Sequence, residues 1–215
     1  MPSRPSAANP VLPTQCRHPQ GLRASHGGLA ATLGFMTEGL SLSLAELTVL
    51  AVLCERPAHG FAVARLTAPG GELGRIWQIP RPVVYRSISR LTEAGLITAD
   101  AVEAGRGPQR TLFTVTPAGR QAAERWLDTP VQHVRDVRSH LLLKLALLDR
   151  AGQDPTELLI QQKAVLAPIA AAVHAERPPP PGFDNTLLAW RRATTEATMS
   201  FLDDITPAGR GGQLR

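Results

Sequence analysis

Residues 78–116, QIPRPVVYRSISRLTEAGLITADAVEAGRGPQRTLFTVT, leave the chain few ways to fold. From Pro82 to about Ala94, the apolar residues Val84, Ile88 and Leu91 recur at i, i+4 and i+7, one face of a 3.6-residue period. Pro82, Arg86, Ser89 and Glu93 point the opposite way, with Tyr85 and Arg90 on the shoulders. Pro suits the first turn of a helix because the N–H it lacks would find no intrahelical partner there. Gly95 suits the position just past the last turn, where the backbone needs positive φ. Leu96-Ile97-Thr98 and Leu112-Phe113-Thr114-Val115 are β-prone runs. Between them the loop 103–110 is rich in turn formers and carries Arg106 and Arg110. A short helix exposing small polar and arginine side chains, followed by a hairpin with a basic tip, is the plan of a winged helix-turn-helix. Such a helix is sized for a DNA major groove, and the tip for the flanking phosphates.

Several blocks in fixed order extend the pattern. They are Leu50-Ala51-Val52-Leu53, His59-Gly60-Phe61, Ile76-Trp77, the run Val84–Ile97, Gly105-Arg106-Gly107, Phe113–Gly119 and Leu143-Lys144-Leu145. On these blocks residues 42–205 resemble the PadR family of transcriptional regulators. The resemblance implies a mainly α fold with a small β-wing: a winged-helix domain followed by a C-terminal helical dimerisation domain. It also implies a homodimer that presents two winged helices to palindromic double-stranded DNA, acting as a repressor. Two departures stand out. Phe61 replaces the family's usual Tyr, and Pro80 and Pro82 occupy a site where one branch has Ser-x-Ser. The prolines remove a hydroxyl cap and its phosphate contacts.

The DNA-contacting candidates are Arg81, Tyr85, Arg86, Ser89 and Arg90 on the helix, with Arg106 and Arg110 on the wing. For the helix arginines the plainer alternative is a solvated face, and for the wing pair loop solubility. Tyr85 either bonds a phosphate or packs its ring against the first helix. Only two of the cations are Lys, and Arg favours bidentate contacts to phosphate or guanine. Residues 41–126 hold ten Lys and Arg against seven Asp and Glu, whereas 127–205 hold eight against ten. The positive excess therefore falls on the winged segment and the two chain ends.

Boundaries follow from composition. Residues 1–40 are expected to form a disordered basic arm. Positions 1–35 contain five prolines, four glycines and no acids, too little apolar area to offset ordering entropy. Ordered patterning begins close to Met36, so a true start there is the alternative. Residues 41–117 are expected to form the winged domain. Ser43 caps its first helix with Glu46 three residues on, and Leu44, Leu47, Leu50 and Leu53 or Cys54 form a buried stripe. A second helix runs from His59, itself a cap, to Ala68, and Ile76 and Trp77 should pack under the recognition helix. Residues 118–205 are the helical domain and 206–215 a flexible tail.

In the helical domain Val134, Val137, Leu141, Leu145 and Leu148 are spaced for helix–helix packing. A helix from Asp154-Pro155 to about Glu176 should kink at Pro168. The last helix, about 184–205, places Leu187, Trp190, Thr194, Ala197 and Phe201 on one seam. These stripes point to burial against a second copy, with Val134, Leu141, Leu145, Leu148, Leu187 and Phe201 at the dimerisation surface. An intramolecular bundle is the alternative. The resemblance makes Trp126 and Trp190 candidates for stacking on a small aromatic effector; core packing is the plainer role for both.

No Gly-rich phosphate loop, HExxH, GxSxG or Cys-His pair is present, so no enzyme, cofactor or metal site is expected. His133 and His140 lie seven apart, not at metal-pair spacing. Cys16 and Cys54 form no paired framework and read as reduced thiols. No uninterrupted apolar run approaches the ~18 residues of a membrane span, and no secretory signal is evident, so the expectation is cytoplasmic. The alternative function is a helical interaction or effector-binding protein whose winged helix no longer reads DNA specifically.

Overall fold

A computed structural model describes residues 41–103 and 110–206. The arm 1–40, the wing tip with Arg106, and the tail beyond 206 lie outside the described residues. Among the described residues eight α-helices and three strands follow one another: α1 Leu44–Glu55, β1 Ala58–His59, α2 Gly60–Thr67, α3 Arg81–Glu93, β2 Ile97–Glu103, β3 Arg110–Val115, α4 Pro117–Asp128, α5 Val134–Asp136, α6 Leu142–Arg150, α7 Thr156–Ala175 and α8 Phe183–Ile205. A π-helical turn, Val137–Leu141, joins α5 to α6.

Helix α1 begins as expected. The Ser43 side chain accepts from the Glu46 N–H, and the Glu46 carboxylate accepts from the Ser43 N–H at 2.7 Å, which satisfies two orphan donors at once. Its burial differs from the single expected stripe. Thr48, Val49, Leu50, Ala51, Val52 and Leu53 are all buried, while Leu44 and Leu47 are only partly so. A helix apolar on every side becomes the axis of a core, and α3, α4 and α6 all pack on this one.

His59 caps α2: its Nδ1 accepts from the Ala62 N–H at 3.0 Å. Ala58-His59 also forms a short strand that pairs antiparallel with Leu112-Phe113, giving the order β1-β3-β2. That third strand escapes a sequence reading because two residues carry no period. In the hairpin, Ile97 faces Val115 and Thr98 faces Thr114. The register slips between Ala99 and Ala101, a bulge at Asp100 whose carboxylate accepts from the Thr114 hydroxyl. Leu73 and Ile79 bury the connection from α2 to α3, but Trp77 is 46% exposed and does not pack under α3.

Two cores share one helix. The first gathers the winged elements and also takes Ala123 of α4 and Leu143 and Leu147 of α6. The second gathers Val131, Val137, Leu141, Leu148, Leu158, Leu159, Leu166 and Leu202. Leu141 and Leu148 are therefore sealed inside their own chain, at 0% and 4% exposure, and cannot face a second copy. Leu145 packs partly against the same core. Helix α7 runs unbroken through Pro168, with Asp154 accepting from the Thr156 N–H at its start. It is apolar and long enough to cross a membrane by composition, yet it contributes Leu158, Leu159, Gln162, Leu166 and Val173 to the interior. In α8 the buried row is Leu188, Thr195 and Leu202, one residue on from the seam expected.

Candidate nucleic-acid interface

Helix α3 buries Val84, Ser87, Ile88 and Leu91 and leaves Arg81, Pro82, Tyr85, Arg86, Ser89 and Arg90 exposed. Its ends follow from local chemistry. Pro80 sits at the N-cap and offers no side-chain hydrogen bond, as the missing Ser-x-Ser implies. At the other end Gly95 takes φ 68°, and the Leu96 N–H bonds back to the Leu91 carbonyl.

The exposed side chains stand in different electrostatic situations. Arg90 Nη1 lies 2.7 Å from Glu46 Oε1, and that carboxylate is almost fully buried at the start of α1. Glu46 thus caps α1 through one oxygen and holds α3 through the other. Among the described residues Arg81 and Arg86 form no ion pair, so both carry a positive charge that no acid offsets. The Ser89 hydroxyl donates to the Tyr85 carbonyl at 3.2 Å, which occupies its proton and leaves its lone pairs outward.

Tyr85 packs against α2 rather than α1. A Cβ on Gly60 would lie 2.9 Å from its ring, so the absence of a side chain at position 60 lets the ring approach. The Arg81 guanidinium lies over this ring at 5.5 Å and over that of Phe61 at 5.4 Å. Phe61, which the sequence offers both as a departure from the family and as a residue of the second helix available for burial, is instead 37% exposed and part of the surface. Nothing in its spacing signals this, because the contact joins α2 to α3. Strand β2 packs beside α3. Arg110 opens β3, its side chain lying with Arg106 outside the described residues.

The two tryptophan candidates are not brought together. Trp126 is partly buried against the first core, with Lys144 Nζ 5.3 Å from its ring centre. That ammonium also donates to the Thr129 carbonyl. Burial pushes its pKa down to about 8, against the upward pull of the Asp128 carboxylate. Trp190 is 66% exposed and lines a groove of about 770 Å³ between the 133–142 segment and α8. Val134, Phe201, Arg135, Arg138 and Arg191 line it too. Leu187, 44% exposed, lies on the same helix.

Residues 49–125 match the model of the "Transcriptional regulator PadR-like family". The chain is also similar to the negative transcriptional regulator PadR of Bacillus subtilis (strain 168), at 27% identity over 73 residues. That match covers 34% of this chain and 40% of the relative's length. Among solved structures, Bacillus subtilis PadR in complex with operator DNA is 19% identical with a TM-score of 0.41, over 76% of this chain and 97% of that one. The Vibrio cholerae virulence activator AphA is 24% identical with a TM-score of 0.34, over 75% and 95%. The family match falls on the elements from α1 to α4, and it is over these elements that the chain is similar to the PadR-like family of transcriptional regulators.

Proposed function

We propose that the chain is a homodimeric, sequence-specific DNA-binding repressor that acts in the cytoplasm, a regulator rather than an enzyme. One observation carries the reading. Among the described residues Arg81 and Arg86 have no acidic partner, and both stand on the exposed face of a helix that precedes a wing. That is the charge placement a major-groove reader requires. Arg86 and Ser89 face base edges, Arg81 and Tyr85 flank them, and Arg106 and Arg110 track phosphates from the wing. Arg90 serves chiefly to hold α3 on Glu46. The dimer surface is the outer face of α8, with Leu187, Trp190 and Phe201, together with Val134 across the groove. An effector would be an aromatic anion, because Trp190 offers a stacking face amid Arg135, Arg138 and Arg191.

Selection of bound sequences from a random duplex pool tests the reading. An inverted repeat is expected. Featureless, salt-sensitive binding would overturn it and return the chain to a helical interaction protein.

A further inference from the structure

The departure at position 61 acquires a purpose once the side chains are placed. Phe61 is the second residue of α2, Arg81 opens α3, and Tyr85 lies one turn further along the same helix. The Arg81 guanidinium carbon is 5.4 Å from one ring centre and 5.5 Å from the other, and all three residues stay at the surface. A free arginine samples many rotamers. One held over two rings has its plane restricted, leaving N–H groups at its edge to donate. Arg81 also borders a cleft of about 450 Å³ whose lining is mainly apolar, with Ala64, Ala68, Pro69 and Ile79. Among the described residues no carboxylate lines that cleft to draw the guanidinium away.

We propose that Arg81 is a specificity-determining residue that reads a guanine through its O6 and N7, and that Phe61 is its positioning residue. This rests on the reading of α3 as a DNA-contacting helix. A planar fork with restricted orientation matches the two coplanar acceptors of guanine; the same fork can chelate a phosphate, but only the guanine contact makes affinity depend on the base at one position. Phe suffices at position 61 because its task is stacking, for which no hydroxyl is needed.

The experiment measures affinities for the sequence the wild type selects, and for the same site with each guanine of one half-site replaced in turn. Wild type, Arg81→Ala, Arg81→Lys, Phe61→Ala and Phe61→Tyr are compared in full-length protein, with thermal melting to verify folding. Wild type should lose about tenfold or more when one particular guanine is replaced. Arg81→Ala and Arg81→Lys should abolish that penalty while keeping the penalties at other positions. Phe61→Ala should reduce the same penalty and add nothing in combination with Arg81→Ala, and Phe61→Tyr should restore it. If Arg81→Ala weakens every sequence equally, the residue contacts phosphate and the assignment fails. It fails also if Phe61→Ala and Arg81→Ala have additive effects, or if Phe61→Ala shifts all positions alike. A wild type that selects no sequence would remove the DNA reading of the whole surface, and this assignment with it.

Discussion

Three arginines on α3 look alike in the sequence and have different surroundings in the fold. Arg90 is anchored by a carboxylate from α1, Arg81 is held over two rings, and Arg86 stands free of acids among the described residues. Helical spacing reveals that all three are exposed, but their partners depend on how α1, α2 and α3 cross, which spacing does not encode. Arg90→Ala removes a partner from the nearly buried Glu46 and should lower unfolding free energy by about 1–3 kcal/mol in urea titration. Arg86→Ala should leave stability within about 0.5 kcal/mol. Lys144 is a second case that sequence conceals, since an apolar run interrupted by one lysine reads as a snorkelling surface residue. Here its ammonium is buried over Trp126 and donates to the Thr129 carbonyl. Its pKa falls from 10.5 to about 8, so between those values the unfolded chain binds the extra proton and stability rises with pH. The burial cost is fully present below pH 8 and disappears toward pH 10.5. Lys144→Met should therefore gain most over wild type below pH 8, with the difference in Tm shrinking as the pH is raised through that window.

Helix α6 contributes side chains to both cores. Leu143 and Leu147 enter the winged core while Leu141, just before the helix, and Leu148 enter the bundle. Arg150 at its end reaches back to Glu55 of α1 through two bonds of 2.8 and 2.7 Å, and also pairs with Glu72 ahead of α3. Gln162 of α7 pins the connection between the cores by bonding both the N–H and the carbonyl of Val131 at 2.8 Å. Leu143→Ala should cost about 2–5 kcal/mol and lower the melting of both cores together. Coincident transitions by circular dichroism and tryptophan fluorescence would show this; separate transitions would mean that α6 does not couple them. The apolar stripes of α6 and α8 were legible from spacing. Which stripe the chain buries against itself was not, because Leu187–Trp190–Thr194 and Leu188–Thr195–Leu202 both recur at helical intervals. Only the packing of α7 against α8 decides that the second row turns inward. The two-residue β1 and the bulge at Asp100 carry no periodic signal at all.

The outer row of α8 leads to the assembly. Trp190 and Phe201 line a groove that the described chain does not fill, and Leu187 is exposed on the same helix. Light scattering should give twice the 23.0 kDa chain mass, and Trp190→Arg should shift the species toward the monomer. Loss of one half-site's grip should then weaken operator binding far more than any single contact does. The DNA reading itself is tested most directly by the ratio of affinities for the selected site and a random duplex, measured at one salt concentration in wild type and Arg86→Ala. The ratio should fall by roughly tenfold on substitution, equivalent to about 1.4 kcal/mol of base discrimination, while random-duplex affinity changes little. An unchanged ratio, with both affinities lowered alike or neither lowered, would contradict α3 as the element that reads bases.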